Sequence, residues 1–77
     1  MNQERRTKID KALALMADAK AIIEEVLDEE QEAYDNMPEG LQTSERGEAM
    51  QEAITNLEDA NSSVDEIEDY LEDAKGE

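Results

Sequence analysis

The chain has no cysteine, no histidine, no phenylalanine and no tryptophan, with one proline and three glycines in 77 residues. Without cysteine there is no disulfide and no thiolate metal site. Without histidine, imidazole acid–base catalysis and ordinary zinc, copper or haem ligation lose their usual residues. The serines have no partner base for a nucleophilic triad, and no glycine-rich phosphate loop occurs. Carboxylates abound, but a catalytic pair needs an apolar pocket that separates two pKa values, and a seam between two helices has little room for one. These absences argue against an enzyme, a cofactor and a dedicated metal site. An EF-hand reading of Asp35-Asn36-Met37-Pro38-Glu39-Gly40 fails, because Met37 takes a ligand place and Arg46 stands where the terminal glutamate belongs. Weak, nonspecific binding of divalent cations by the carboxylate faces stays open.

Long apolar runs are also missing. Met1-Asn2-Gln3-Glu4-Arg5-Arg6 lacks the apolar stretch of a signal peptide, and no segment of about 18 apolar residues exists. The expectation is a soluble, cytoplasmic protein without membrane contact.

What the chain has in excess is negative charge: 23 acids against seven lysines and arginines, a net of −16. Charge on this scale repels nucleic acid and anionic membrane and attracts basic surfaces. It is also segregated. Residues 1–20 carry five cations against three acids, and only Arg46 and Lys75 follow, against 20 acids.

The apolar pattern is helical. In the first half a seam runs through Ile9, Ala12, Met16, Ala19, Ile23, Val26, Glu30, Ala33 and Met37 at alternating steps of three and four. Leu13, Leu27 and Tyr34 flank it on one side, Leu15 and Ile22 on the other. This stripe is wider than one partner helix covers. The second half carries a heptad seam of Met50, Ala53, Leu57, Ala60, Val64, Ile67, Leu71 and Ala74. Asn2 or Thr7 can cap the first helix, Thr43 or Ser44 the second, and Gly76 can stop it. Between the halves, Pro38 lacks a backbone donor and biases Met37 away from helix, while Gly40 tolerates positive φ. Gly47 weakens the start of the second helix by roughly 1 kcal/mol relative to alanine.

The pattern therefore predicts an all-α, coiled-coil-like antiparallel hairpin forming one domain over residues 1–77, with a helix over about 3–36, a turn over 37–43 and a helix over about 44–75. If facing residue numbers sum to about 83, Ala12 meets Leu71, Ala19 meets Val64 and Ala33 meets Met50, small against large. A sum near 76 would instead set Glu30 against Arg46. The surplus apolar width of the first helix predicts self-association of two hairpins into a four-helix bundle, with Leu13, Leu15, Ile22 and Leu27 as its interface.

Antiparallel folding lays the basic start of the first helix beside Asp65, Glu66, Glu68, Asp69, Glu72 and Asp73, where the charges pair. The turn end has no such compensation. Glu24, Glu25, Asp28, Glu29, Glu32, Asp35, Glu39, Glu45, Glu48 and Glu52 gather there with the apolar Leu41, opposed by Arg46 alone. Glu24, Asp28 and Glu32 repeat at i, i+4, i+8, a spacing at which like charges cost a few tenths of a kcal/mol per pair.

The segment from Asp28 to Glu48, with Asp35-Asn36-Met37-Pro38-Glu39-Gly40-Leu41-Gln42-Thr43-Ser44 at its centre, resembles a stretch found in small uncharacterised proteins of bacteria and their phages. That resemblance implies no activity and no functional residues. In size, acidity and helical make-up the chain is similar to phage DNA mimics and anti-defence inhibitors, which share charge rather than a motif. Two functions follow from the sequence. One is an acidic module that occupies a basic surface of a nucleic-acid-binding protein without contacting nucleic acid itself. The other is a structural or oligomerisation module whose acidity serves solubility.

Overall fold

A computed structural model describes residues 1–76, and all its regular structure is helical: α1 (Gln3–Asp35), a single turn α2 (Glu39–Gln42) and α3 (Glu45–Lys75). Asn2 caps α1, its side-chain oxygen accepting from Arg5 N–H at 2.8 Å. The Thr7 hydroxyl instead donates to the Gln3 carbonyl one turn back. Ser44 caps α3 by accepting from Gly47 N–H at 3.3 Å, and its hydroxyl donates to the Leu41 carbonyl. α1 and α3 lie antiparallel, and the chain spans 58 × 15 × 12 Å with a radius of gyration of 17.4 Å. A compact domain of this length has a radius of gyration near 11–12 Å. The molecule is a rod.

The expected turn over 37–43 contains a helical turn of its own. Pro38 supplies its start: with φ −56° and ψ 141°, its carbonyl accepts from Leu41 N–H and Gln42 N–H. Gly40 is helical there, and no residue among those described has positive φ. The glycine that matters is Gly47. It is buried, and a Cβ built on it would lie 2.1 Å from the Gln42 carbonyl oxygen and 2.6 Å from that of Leu41. Its missing side chain lets the end of α2 rest directly on the first turn of α3.

Among the described residues, three cross-helix polar links set the register. Lys75 meets Asp10 at 2.8 Å, Lys20 meets Asp65, and Gln51 donates to the Tyr34 hydroxyl at 2.7 Å. Each pair of numbers sums to 85, two residues from the predicted 83. That offset is about 3 Å along the axis, and it leaves the alternative near 76 excluded. Tyr34 also accepts from the Gln42 side-chain amide through its carbonyl at 3.0 Å, so one residue ties α1 to both α2 and α3.

The seam itself is rotated from the predicted one. In α1 the side chains turned inward are Ile9, Leu13, Met16, Lys20, Ile23, Leu27, Glu30 and Tyr34, all half-buried, whereas Val26 and Ala33 are exposed. In α3 they are Met50, Ile54, Leu57, Asn61, Val64, Glu68 and Leu71, whereas Ala60 and Ile67 are exposed. The physical reason is size. Leu13, Leu27, Tyr34 and Ile54 cover more apolar area than the alanines one position away, so the helices roll to put them together. This corrects the sequence expectation at four positions, and it moves Leu13 and Leu27 from an intermolecular interface into the hairpin's own seam. Lys20 joins them because its stem lies along apolar surface while its ammonium reaches Asp65.

Two further expectations follow. Helix propensity alone says that Gly47→Ala stabilises by roughly 1 kcal/mol. The close backbone contact reverses the sign, and we expect the variant to lose about 1–3 kcal/mol in chemical denaturation. At Asn61 the side-chain oxygen is buried without a hydrogen-bond partner. Asn61→Leu should raise stability by about 1–2 kcal/mol, read as a higher melting temperature; an unchanged or lower one would mean that this oxygen is satisfied in solution.

Candidate functional site: an acidic end and a charge-free edge

The rod has two chemically different ends, divided at the level of Lys20 and Asp65. Toward the turn, residues 21–64 carry thirteen acids and Arg46 as their one cation. Toward the termini, residues 1–20 and 65–76 carry nine acids and six cations. The ion pairs follow this division. Lys8–Glu4, Lys75–Asp10, Lys75–Glu72 and Lys20–Asp65 all belong to the end near the termini. Among the described residues, the 4.0 Å approach of Lys20 to Glu24 is the ion pair that touches the acidic half. Arg46 makes no ion pair among the described residues.

Every acid expected at the turn end is exposed there: Glu24, Glu25, Asp28, Glu29, Glu32 and Asp35 from α1, Glu39 from α2, and Glu45, Glu48 and Glu52 from the start of α3. Leu41 stands among them, 52% exposed. The set is drawn from three helices and lies along the turn half of the rod. Glu30, from the same run, is instead turned into the seam. Gln31 donates to Asp35 at 3.0 Å, and a shallow groove lies nearby, lined by Gln31, Tyr34, Gln51, Ile54 and Thr55. Among the described residues no three acids converge closely enough to hold a metal ion, and no helix is long and apolar enough to cross a membrane.

The sides of the rod differ too. With about 100° of rotation per residue, Asp10, Glu24 and Asp28 of α1 and Gln51, Asp65 and Asp69 of α3 fall on one side of the seam. This is the edge that carries the cross-helix links. Four heptad columns fall on the opposite edge: Ala12-Ala19-Val26-Ala33 and Leu15-Ile22-Glu29 in α1, and Ala53-Ala60-Ile67-Ala74 and Asn56-Ser63-Tyr70 in α3. Glu29 is the one charged residue among these fourteen positions, where a chain that is 39% charged would place about five. Leu15 (58%), Ile22 (62%), Val26 (42%) and Ile67 (43%) are the large aliphatic side chains left exposed here. The sequence pointed to Leu15 and Ile22. It missed Val26 and Ile67 by placing them in the seam, although their heptad columns, read beside the larger Leu27 and Leu13 column, carried the signal.

No protein-family model, no curated protein and no solved structure matches this chain. Its functional reading rests on the rod, its acidic end and its charge-free edge.

The two cross-helix lysines give the hairpin a pH dependence. The Lys20 pKa is raised above its ordinary value, first by the hydrogen bond to Asp65 and then by the charges of Asp65, Glu24 and Glu68. Lys75 is raised by its hydrogen bond to Asp10, and by the charges of Asp10 and Glu72. A raised lysine pKa means that the folded state holds its proton more tightly, so the stabilisation is full below the unfolded value near 10.4 and fades as pH rises through the folded one. The melting temperature should therefore fall above about pH 10, and a Lys20→Met, Lys75→Met variant should lose most of that slope. An equal slope in both proteins would show that the links do not form in solution.

Proposed function

We propose that this chain is a helical protein-binding module whose acidic turn end occupies a basic surface of a partner protein, and that its hairpins pair into a four-helix bundle. The observation that supports the binding role is the unequal pairing of charge. Cations were placed where they neutralise the end near the termini, and were kept from the turn end. A chain using acidity for solubility alone gains nothing from this arrangement, and it incurs the repulsion of Glu24, Asp28 and Glu32 along α1. Leu41 at the same end offers a small apolar contact among the carboxylates. An elongated body with carboxylates along one edge also has the general form that a DNA mimic requires, so a nucleic-acid-binding protein is the partner class that this reading favours.

Charge placement can be separated from net charge by two matched variants. One converts Glu25, Asp28, Glu32 and Glu48 at the turn end to their amides; the other does the same to Glu66, Asp69, Glu72 and Asp73. Titrated with an oligolysine peptide at low salt, the first should lose about tenfold or more in affinity and the second much less, with binding weakened as salt shortens the Debye length. Equal losses would mean that the chain acts only through its net charge. In that case the solubilised structural module becomes the better reading.

A further inference from the structure

We infer that the charge-free edge is an interface for a second copy of this chain, and that the two hairpins pair antiparallel, the turn of each lying over the chain termini of the other. The pairing is argued from the hairpin alone; its consequence for partner binding rests on the reading of the turn end given above.

Burial in a single hairpin is incomplete. Among the described residues of the isolated hairpin only Ile54 and Val64 are buried apolar side chains, at 7% and 8% exposure, and none is fully enclosed. A scaffold of this size ordinarily needs a disulfide, a metal or oligomerisation. The chain has no cysteine, and no metal cluster exists among the described residues.

The two helices also match in level. The columns span 12–33 in α1 and 53–74 in α3, so with facing numbers summing to 85 they lie side by side and form one surface. Its length is about 32 Å at 1.5 Å per residue. Over a rod 15 Å wide this projects roughly 500 Å², within the range of about 300–600 Å² of the largest patches on monomers, which are often functional. With two copies antiparallel about the patch centre, α1 faces its own copy and α3 faces its own copy, so Ala19 meets Val26 and Ala60 meets Ile67, large against small.

Charge sets the direction. Parallel pairing would stack two turn ends, each with thirteen acids and one cation. Antiparallel pairing keeps them at opposite ends of the assembly and brings each toward a terminal end where six cations offset most of nine acids. Like-charge juxtaposition across an interface costs several kcal/mol, so the antiparallel arrangement is selected. Both acidic ends then point outward from one body, which makes the dimer a bivalent ligand for two basic sites, with the avidity that such linkage supplies.

The absence of native cysteine makes the test direct. Gly40 is exposed at the turn, and a Cβ there would have no heavy atom within 4 Å, so Gly40→Cys accepts a nitroxide label without disturbing the fold. Sedimentation should give a dimer, and the label-to-label distance by pulsed electron resonance should be about 50 Å, twice the rise from the patch centre near Ile22 to the turn. A dimer with labels within about 20 Å, the spacing of neighbouring helices in a parallel bundle, would overturn the orientation. A monomer at every concentration over a roughly hundredfold range would overturn the pairing. Leu15→Glu and Ile22→Glu lie outside the hairpin's own seam, and each should abolish the dimer; a variant that keeps it would overturn this face as the interface. None of these readouts involves a binding partner, so their failure is distinct from failure of the acidic-end reading.

Discussion

Lys20 reaching across to Asp65, with Lys75 to Asp10 and Gln51 to Tyr34, limits how far α1 can slide past α3. A seam of half-buried aliphatics repeats every seven residues and is nearly as well satisfied one heptad away. Polar links between specific residues remove that degeneracy. Their energy is small, since all are partly exposed; their effect is selection among registers. Everything described above depends on the register. It brings the two charge-free column sets to one level, and it places the basic start of α1 beside the acidic end of α3.

The links lie along one edge of the rod, and this has a consequence for the other. Acids facing the linked edge can meet a lysine or water. The opposite edge, free of charge from Ala12 to Val26 and from Ala53 to Ala74, has no polar role inside the hairpin. Gly47 and Tyr34 complete the design at the turn: backbone contact sets α2 on α3, the Gln42 amide ties α2 to α1, and Gln51 ties α3 to α1. The turn is therefore a fixed platform for the surrounding carboxylates, and less ordering entropy is lost if a partner binds there.

Much of this was legible in the residues. The long uninterrupted helices, the caps at Asn2 and Ser44, the antiparallel hairpin and the acidic end all follow from proline and glycine placement, capping chemistry and the charge ledger. The seam was misread by one column, because alternation of three and four fits Ala53-Ala60-Ile67-Ala74 as well as it fits Ile54-Asn61-Glu68-Lys75. Pattern alone prefers the apolar set. The structure chooses the column holding Ile54, opposite Leu13, Leu27 and Tyr34, and accepts Asn61 and Glu68 with it. Gly47 was read as a weakness in α3 because its contact with the Gln42 carbonyl is tertiary, and no local rule reveals it.

The proposed pairing covers one edge of the hairpin and leaves the other in water. A soluble nitroxide added during nuclear magnetic resonance of the methyl groups tests this residue by residue. Under that pairing, Leu15, Ile22, Val26 and Ile67 are protected from broadening at concentrations where Leu41, similarly exposed in the hairpin, is broadened. Broadening of all five to the same extent would contradict it.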